Sequence, residues 1–512
     1  MNSFDLDGFG HGDSDLNGVE TNSVDLISVG HDDVRTGERN ADECRLDSRL
    51  SEIIGGKRVL ILGYGREGQS TYRTLSGIGG YLCLDIADGN SAIADTIPAG
   101  SAFIGKDYLD ALDNYDIVFK SPGIVLPDDA LRKSCRIVSQ TDVFLSVYSS
   151  QMIGITGTKG KSTVTTLLHH VLQTSGFDSI LAGNIGIPMF DVAQQITHDS
   201  LIVTELSCHQ LEYCEHSPSI AVLLNLYEDH LDHYGTFERY IQAKLNIFRF
   251  QSEQDVLYTK TDGLPIAISA KSRIHEVDTF GLPFTRLEEL DGVRLRGEHN
   301  LLNTAFVYDI CCELGVDSKA FTAALTSYTP LPHRLEFIGM KNGVEYYDDS
   351  ISTTVESSIS AVQSISNAGT LILGGMDRGI DYTHLVDFLL ACDLDTVICM
   401  YESGKHIYDM CLARSTLTEG LPSNPNGEHS GDVRSETDCS DAKCMDRIQA
   451  GERSINPSKR FVCVNDLVQA VELAKKHTLP GKACILSPAA ASYGDFTNFE
   501  ERGDVFKQLL FD

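Results

Sequence analysis

The sequence lacks the features that mark several broad classes of protein. No apolar run approaches the roughly 20 residues that a membrane-spanning helix needs. The start of the chain has neither the basic segment nor the apolar segment of a secretory signal. None of the 14 cysteines forms a paired C-x-x-C motif. We therefore expect a cytoplasmic protein with reduced thiols, no disulfide and no structural metal.

Basic residues are also scarce, with 41 Lys and Arg against 73 Asp and Glu and a formal net charge of −32. Proteins that bind nucleic acid gather Lys and Arg on one surface, so this balance argues against a nucleic-acid partner. Part of the acidic excess lies in residues 1–50, which also contain many Gly, Ser and Asn and little apolar periodicity. We predict that residues 1–50 form a disordered acidic tail.

A chain of 512 residues is too long for one hydrophobic core, and about three domains are expected. Short apolar runs that alternate with helical segments predict an α/β protein with parallel sheets. The first run, 59–62, leads into a G-x-G-x-x-G turn at 63–68, and the next predicted strand ends in Asp85. A further run, 117–120, ends in Ser121-Pro-Gly123, where α/β sheets bind ligands. The glycine pattern alone leaves open NAD or another phosphate-bearing ligand.

The most specific motif is Thr156-Gly-Thr-Lys-Gly-Lys-Ser-Thr163, between an apolar run and an amphipathic helix. A glycine-spaced turn at a helix N-terminus presents backbone N–H groups to phosphate oxygens. We expect Lys161 to contact the β- and γ-phosphates of a nucleotide, and the hydroxyl of Ser162 or Thr163 to bind Mg²⁺. The motif therefore predicts a nucleotide-phosphate site in a second domain.

Acidic and histidine side chains follow the next two apolar runs. Glu205 comes directly after 201–204, and His230 lies in an acidic segment after 220–225. Because ligands lie at the carboxyl ends of the strands in open α/β sheets, we expect both side chains beside the phosphate loop. A carboxylate there can hold Mg²⁺ directly or through water. Glu205 and His230 are predicted to belong to one catalytic site.

A third α/β unit is predicted from about residue 329 onwards. Its candidate strands are 344–347, 371–373, 396–399, 461–463 and 483–486. Residues 411–458 contain Ser, Asn, Pro, Gly and mixed charge without a period, which predicts a disordered insertion. The predicted organisation is a tail at 1–50 and domains at 51–149, 150–328 and 329–512.

Taken together, these motifs resemble those of the Mur ligases, the ATP-dependent amino-acid ligases of peptidoglycan precursor synthesis. The resemblance runs from about residue 55 to the end, except for the insertion. Its elements are the loop 156–163, Glu205-Leu-Ser-Cys-His-Gln-Leu-Glu212, Glu228-Asp-His-Leu-Asp232, Lys244, Gly297-Glu-His-Asn300, Asn303, Pro332-His-Arg334 and the segment 487–503. It implies a Rossmann-like UDP-binding domain, a central P-loop ATPase-like domain and a Rossmann-like C-terminal domain that binds glutamate.

The resemblance also implies an activity, the addition of glutamate (D-glutamate is expected) to UDP-N-acetylmuramoyl-L-alanine. The implied cofactors are ATP, two Mg²⁺ ions and a carbamylated Lys244, and the partners are small molecules that bind to a monomer. The implied catalytic residues are Lys161, Glu205, His230 and Lys244, and the implied metal ligands are Ser162, Thr163, Glu205, His230 and Lys244. The implied ATP-binding residues are Gly157, Thr158, Lys159, Gly160, Lys161, Ser162, Thr163, Asn300, Asn303, Arg334 and Asp349. Those implied for the UDP substrate are Gly63, Tyr64, Gly65, Ser121, Pro122, Gly123, Asn184 and Ser207.

One segment departs from the family pattern. The family motif Asp-Ser-Lys-Ala-Thr-Asn is here Asp349-Ser-Ile-Ser-Thr-Thr354, with Ile351 in the place of the lysine. Arg378 matches a second family lysine that binds the incoming glutamate, and its guanidinium can bind a carboxylate through two hydrogen bonds. Ser492 and Phe499 match other contacts of that pocket. Glutamate is therefore still implied, with L-glutamate as an alternative to D-glutamate.

Three other functions fit parts of the sequence. A folate-type glutamyl ligase shares the phosphate loop but lacks a separate UDP-binding domain, so the βαβ unit at 58–123 argues against it. An NAD-dependent oxidoreductase leaves Lys161, Glu205 and His230 unexplained. A nucleotide sensor without catalytic activity is disfavoured because every position of the phosphate and metal set is filled.

Overall fold

The computed structural model describes residues 45–98, 102–127, 135–377, 379–418, 453–456 and 459–511. Within these residues the chain forms three β-sheets, of five, six and seven strands. Most strands are parallel to their neighbours, and helices connect many of the successive strands. The predicted α/β class with several parallel sheets is therefore confirmed. The sheets lie within the three predicted domain segments, whose boundaries stay a prediction.

The first sheet consists of β1 (Arg58–Leu62), β2 (Cys83–Asp88), β3 (Ala102–Ile104), β4 (Ile117–Lys120) and β5 (Arg136–Val138). All its pairs are parallel, in the order β3-β2-β1-β4-β5. The order reverses between β1 and β4, so the loops after these two strands lie side by side at the ligand-binding edge. Its helices are α1 (Arg45–Ile54), α2 (Arg66–Ile78) and α3 (Gln140–Tyr148), with 3₁₀ helices at Ser91–Thr96 and Tyr108–Asn114.

The second sheet consists of β6 (Met152–Thr156), β7 (Ser179–Gly183), β8 (Leu201–Glu205), β9 (Ile220–Leu223), β10 (Val256–Thr259) and β11 (Arg273–Glu276). It is parallel throughout, in the order β11-β10-β9-β6-β8-β7. The fully buried β6 lies between β8 and β9, so the loops after these three strands meet at one edge.

The helices that accompany the second sheet are α4 (Lys161–Thr174), α5 (Met189–Val192), α6 (Cys208–Leu211), α7 (Leu231–Tyr234), α8 (Phe237–Arg249), α9 (Glu298–Glu313) and α10 (Ser318–Ser327). Short 3₁₀ helices lie at Ser149–Gln151, Ala193–Gln195 and Leu287–Glu289. Helices α4, α9 and α10 pack against one another, and their apolar side chains share one core with β6 and β8. This packing holds the start of α4 at the edge of the sheet.

The third sheet consists of β12 (Glu336–Lys341), β13 (Val344–Asp348), β14 (Ala368–Leu373), β15 (Thr396–Met400), β16 (Arg453–Asn456), β17 (Lys459–Val464) and β18 (Ala483–Leu486). Its order is β12-β13-β18-β14-β15-β17-β16, parallel in the centre and antiparallel at both edges. Its helices are α11 (Val355–Ser364), α12 (Thr383–Ala391), α13 (Tyr401–Thr418), α14 (Leu467–His477) and α15 (Phe499–Phe511). The five predicted strands are present, and the edge strands β12 and β16 were not predicted.

The predicted tail is too long at its C-terminal end. Residues 45–50 belong to α1, in which Leu46, Leu50 and Ile54 are fully buried. Their four-residue spacing places them on one helix face, which packs near α2 and α3. Charged residues between them conceal this stripe in an otherwise acidic segment. Residues 1–44 lie outside the described part of the chain.

The predicted insertion at 411–458 is wrong at both ends. Helix α13 continues to Thr418, and Cys411, the first residue of the predicted insertion, is buried in the core of the third sheet. Strand β16 occupies Arg453–Asn456 and pairs with β17 through backbone hydrogen bonds, which require no apolar pattern. Residues 419–452 and 457–458 are outside the described residues.

The helices are short for a chain of this length. The longest of those described is α13, with 18 residues, followed by α9 with 16. Across the described segments, none of them is both long and apolar enough to cross a membrane.

Candidate active site

The phosphate loop joins β6 to α4 at the carboxyl edge of the second sheet. Gly160 has a φ of 86°, and a Cβ atom there would lie 2.6 Å from Asn303 Oδ1, so a larger residue would be strained. Gly157 has a φ of 154°, and its Cβ would meet Leu224 Cβ at 2.9 Å. Thr156 Oγ1 donates to the Leu206 carbonyl oxygen at 2.7 Å and ties the loop to the segment after β8.

The Asn225 side chain, which lies just after β9, makes two hydrogen bonds to the middle of the loop. Asn225 Oδ1 accepts from the Lys159 N–H at 2.8 Å, and Asn225 Nδ2 donates to the Lys159 carbonyl oxygen at 3.1 Å. The Asn225 carbonyl oxygen also accepts from the Thr158 N–H at 3.1 Å. Lys159 Nζ donates to Gln363 Oε1 of α11 at 3.1 Å, a contact that the sequence did not indicate. The loop is therefore fixed before any ligand arrives.

Two amino groups converge on one carbonyl oxygen of the loop. Lys161 Nζ donates to the carbonyl oxygens of Gly157 and Thr158, both at 3.0 Å, and Lys244 Nζ donates to Gly157 at 2.8 Å. Lys244 is 1% exposed and forms no salt bridge with any described residue. Burial, followed by the neighbouring Lys161, lowers the pKa of Lys244 to about 7. Asp229 and Glu205 act on Lys244 in the opposite direction but more weakly, so the site favours the neutral amine.

Glu205, the last residue of β8, is 2% exposed. Its Oε1 accepts from Asn184 Nδ2 at 2.7 Å, whereas Oε2 is buried with no hydrogen-bond partner among the described residues. Burial of a carboxylate oxygen without a partner costs free energy of folding, unless a cation or a hydrogen-bond donor binds to that oxygen. Ser162 and Thr163, in the first turn of α4, supply hydroxyl oxygens. Hard oxygen donors of this kind fit Mg²⁺.

His230 lies in the loop after β9, with a left-handed φ of 53°. Its side chain is 44% exposed, and its Nε2 lies 3.6 Å from Asp229 Oδ2. Partial burial lowers the pKa of His230, which favours the neutral imidazole that binds metals. Lys161 and Lys244 are close enough to add to this lowering. His230 therefore faces the same region as the two lysines.

Residues predicted to contact the nucleotide fall into two groups. Asn300 and Asn303 lie on α9, where Asn303 Nδ2 donates to Asn300 Oδ1 at 3.2 Å and Asn303 adjoins Gly160. Arg334 is exposed in the connection to the third sheet. Asp349 is buried and accepts from the Leu335 N–H at 3.0 Å, and burial raises its pKa to about 6. Asp349 therefore holds the segment that carries Arg334 rather than the phosphate loop itself.

The first glycine turn and the Ser121-Pro-Gly123 turn meet because they follow β1 and β4, which are parallel neighbours. Ser121 Oγ donates to the Gly63 carbonyl oxygen at 2.7 Å, and Pro122 and Gly123 follow directly. The Tyr64 N–H donates to Asp88 Oδ2 at 2.7 Å, next to the exposed Gly65. The acid at the strand end is thus Asp88 and not Asp85, because β2 runs three residues beyond the predicted end.

Contacts that the sequence did not reveal join the first sheet to the second. Arg66 Nη1 donates to the Gly186 carbonyl oxygen at 3.2 Å, and Gln210 Nε2 donates to Glu67. Ser207 caps α6 by accepting from the Gln210 N–H at 3.2 Å, so the predicted substrate residue lies in this contact region. Burial raises the pKa of Glu67 to about 7. These residues lack a recognisable motif and become neighbours only through folding.

The segment that departs from the family motif is held by a buried arginine. Arg502 Nε donates to Ser350 Oγ at 2.9 Å, and its Nη2 donates to the Ser350 carbonyl oxygen at 2.7 Å. Ser350 Oγ in turn donates to the carbonyl oxygen of Phe499 at 2.8 Å. Ile351 is half-buried, and Ser492 is buried elsewhere in the same domain segment.

The residues predicted for the glutamate pocket do not all lie together. Phe499 adjoins the Asp349–Thr354 segment, because its carbonyl oxygen accepts a hydrogen bond from Ser350. No described contact joins Ser492 to that segment. Arg378 lies outside the described residues. Arg502 lies in the segment 487–503 that carries the resemblance, but no role was predicted for it.

Comparison with known proteins identifies the class. The model of the Mur ligase middle domain matches residues 155–282, which contain the phosphate loop, Glu205, His230 and Lys244. The UDP-N-acetylmuramoylalanine--D-glutamate ligase of Symbiobacterium thermophilum is 30% identical over 433 residues, 79% of this chain and 86% of that protein. The chain belongs to the Mur ligase family, and the resemblance predicted from its motifs is confirmed.

Other relatives carry the same name. The UDP-N-acetylmuramoylalanine--D-glutamate ligase of Ligilactobacillus salivarius is 29% identical over 491 residues, 90% of this chain and 98% of that protein. Among solved structures, UDP-N-acetylmuramate-alanine ligase MurC from Thermotoga maritima is 17% identical, with coverage of 88% of this chain and 98% of that chain and a TM-score of 0.46. Mur ligases use ATP, which agrees with the phosphate loop.

Proposed function

We propose that the protein is an ATP-dependent ligase that joins D-glutamate to UDP-N-acetylmuramoyl-L-alanine during peptidoglycan precursor synthesis. The observation that carries this proposal is that Lys161 and Lys244 meet at the Gly157 carbonyl oxygen of the phosphate loop. Glu205, with its unpartnered oxygen, ends the strand beside β6 and is close enough to act on the pKa of Lys244. Relatives that bear the name of this reaction align over most of the chain. The reaction uses small, charged substrates, and we propose that it takes place in the cytoplasm on a monomer.

The chemistry requires activation of a carboxylate, which is inert towards an amine. The γ-phosphoryl group of ATP passes to the alanyl carboxylate, which forms an acyl phosphate and releases ADP. The amine of glutamate attacks the acyl carbon and loses a proton, and the C–O bond to phosphate breaks. Lys161 offers a fixed positive charge to the phosphoryl oxygens, where negative charge gathers in the transition state.

The metal site that this reaction needs fits the residues present. We propose that Glu205, the hydroxyls of Ser162 and Thr163, His230 and a modified Lys244 hold two Mg²⁺ ions. When bound, Mg²⁺ neutralises charge on the transferred phosphoryl group. The unpartnered Glu205 Oε2 is the oxygen that supports this assignment, because a hard cation would satisfy it.

We further propose that Lys244 is carbamylated. The neutral amine attacks CO₂, an N–C bond forms, and a proton is lost, so the side chain becomes an anionic oxygen ligand. Burial favours the neutral amine, and the positively charged Lys161 next to it would be matched by the resulting carbamate. The carbamate would place a negative charge beside the ammonium group of Lys161.

The remaining contacts are proposed from the resemblance and the positions described above. For ATP they are Gly157, Thr158, Lys159, Gly160, Lys161, Ser162, Thr163, Asn300, Asn303, Arg334 and Asp349. For the UDP substrate they are Gly63, Tyr64, Gly65, Ser121, Pro122, Gly123, Asn184 and Ser207. For glutamate they are Arg378, Ser492 and Phe499. The domain at 51–149 would bind the UDP substrate, the domain at 150–328 would bind ATP, and the domain at 329–512 would bind glutamate.

One assay tests the reaction and the amino acid together. Phosphate release from ATP is measured with UDP-N-acetylmuramoyl-L-alanine and either D-glutamate or L-glutamate, and the product is identified by mass spectrometry. We expect release that depends on all three substrates and prefers D-glutamate. A preference for L-glutamate would identify the alternative that Ile351 leaves open, and turnover with neither enantiomer would reject this branch of the family. A folate acceptor in place of the UDP substrate tests the folate-type alternative.

A further inference from the structure

A second group of metal-binding side chains lies beside the proposed magnesium site. Each of Cys208, His209 and His230 offers one ligand atom, and these three atoms lie within 4.8 Å of one another. Cys208 Sγ is 3.7 Å from His209 Nδ1. A tetrahedral Zn²⁺ ion bound to both atoms would separate them by roughly 3.6 Å. These two ligands therefore need little movement to bind one ion.

The fold brings this triad together from two neighbouring strand ends. Cys208 and His209 begin α6, just after β8, and the Ser207 cap fixes their backbone. His230 follows β9, and its ring meets that of His209 edge-on at a centroid distance of 4.8 Å. Its side chain is 44% exposed, so its ring has room to turn towards the other two ligands. Cys208 itself is 2% exposed and sits at the floor of the group.

Neighbouring side chains hold His209 in place. The His233 ring lies 4.3 Å from the His209 ring, and His233 Nε2 is 3.2 Å from Glu212 Oε2. The Tyr234 ring stacks on His209 at 5.6 Å. These ring contacts restrict the position of the His209 imidazole through close packing.

The chemistry of the triad differs from that of the magnesium site. Thiolate and imidazole ligands select Zn²⁺ and similar transition metals, whereas carboxylate and hydroxyl oxygens select Mg²⁺. Another possible ligand group, His333, Glu336 and Asp348, is already occupied by a cation, because Lys507 Nζ lies 2.8 Å from Glu336 and 3.5 Å from Asp348. The amino group near the Cys208 group is that of Lys244, which donates its hydrogen bond to the Gly157 carbonyl oxygen.

We infer that Cys208, His209 and His230 form a Zn²⁺ site that regulates the enzyme. On binding, the Cys208 thiol loses its proton to solvent, the two imidazoles bind as neutral ligands, and water completes the tetrahedron. His230 belongs to both sites, so a zinc ion there withdraws it from the proposed magnesium site. Inhibition of the ligase by Zn²⁺ rests on the proposed function, whereas zinc binding does not.

Zinc binding is tested on the full-length protein without a polyhistidine tag. Competition with a chromophoric chelator measures the affinity for Zn²⁺ of the parent, Cys208→Ser and His209→Phe, with Cys214→Ser as the matched buried-cysteine control. We expect one equivalent in the parent and the control, and at least about tenfold weaker binding in both other variants. His209→Phe keeps a ring against His233 and Tyr234, and circular dichroism verifies the fold of each variant. Equal affinity in all four proteins, or no binding by the parent, would overturn the site.

Cobalt and activity measurements give independent readouts. Co²⁺ bound to the parent should show a thiolate-to-metal charge-transfer band that Cys208→Ser lacks. With saturating Mg²⁺, added Zn²⁺ should inhibit ligation by the parent and by Cys214→Ser, and Cys208→Ser should resist it by about tenfold in concentration. Tight binding of Zn²⁺ without inhibition of ligation would overturn the regulatory role but not the zinc site itself. Tight binding by a protein with no ligase activity would count against the proposed function instead.

Discussion

The two glycine-rich turns, at 63–68 and 156–163, both lead from a buried parallel strand into a helix, yet they surround different charges. In the first turn the Tyr64 N–H donates to the Asp88 carboxylate. In the second, the amino groups of Lys161 and Lys244 donate to loop carbonyl oxygens. The shared strand-turn-helix geometry offers a place for a ligand, whereas the side chains around it decide which charge is stabilised. Only the second turn is suited to transfer of a phosphoryl group.

Substitution of the first helix residue within each turn should give the largest difference in turnover between the two turns. Lys161→Ala removes the fixed charge beside the transferred phosphoryl group, so turnover should fall by about a hundred- to a thousandfold. Steady-state phosphate release measures this loss. The matched control is Arg66→Ala, which removes an exposed side chain that bonds only the Gly186 carbonyl oxygen in the described contacts. Equal losses in the two variants would show that the turns do not differ in chemistry.

Substitution of the buried carboxylate near each turn should give the next largest difference, in turnover and in the Mg²⁺ requirement. Glu205→Gln keeps the volume and the bond to Asn184 but removes the anionic oxygen proposed to bind Mg²⁺. We expect turnover to fall by about a hundredfold and the Mg²⁺ requirement to rise. Rates over a series of Mg²⁺ concentrations test this. Glu67→Gln, which can still accept from Gln210, should leave the Mg²⁺ requirement unchanged; a shift in that variant would contradict the comparison.

The buried lysines provide a third contrast. Lys244→Ala should lower turnover by about ten- to a hundredfold, with partial recovery in acetate, which can occupy the vacated anion site. The neutral amine is the form that reacts with CO₂, so carbamylation and activity should both rise as pH increases through about 7, the pKa of Lys244. Carbon-13 NMR with labelled bicarbonate detects the carbamate.

Lys120 is the matched control for this experiment. It is buried too, its pKa is lowered by burial to about 8, and it lies 4.0 Å from Glu212, which favours a charged amine. Lys120→Met should keep the carbamate signal, and Lys244→Ala should lose it. Persistence of the signal in Lys244→Ala would remove the carbamate from the mechanism.

The smallest expected effects concern the glycines themselves. A Cβ at Gly68 would lie 2.0 Å from the Gly63 carbonyl oxygen, so Gly68→Ala should lower the free energy of unfolding by about 2 kcal/mol. Gly160→Ala should cost about 1 kcal/mol, because its left-handed conformation is strained for alanine. Gly65→Ala meets nothing within 4 Å and should have no effect. Urea denaturation measures the free energy of unfolding of the three variants. A loss for Gly65→Ala as large as that for the other two would contradict the prediction.

Much of the fold followed from local patterns in the sequence. β4 and β18 begin and end where their apolar runs predicted, because a buried parallel strand is apolar along its whole length. Predictions failed where structure depends on partners. The stripe Leu46, Leu50 and Ile54 is recognisable only once its helix has a core to cover, and β16 forms because β17 offers a free edge.

The sequence by itself determined the phosphate loop, the first turn and the family, because each depends on residues that are close together in the chain. Tertiary structure alone decided which polar groups stayed without a partner. Lys244 reaches the Gly157 carbonyl oxygen from 87 residues away, and Glu205 Oε2 is left unsatisfied by everything described around it. Cys208 and His209 likewise meet His230 only because β8 and β9 both flank β6. Burial and electrostatics at such a site are sums over all neighbours in space, and only the folded chain specifies those neighbours.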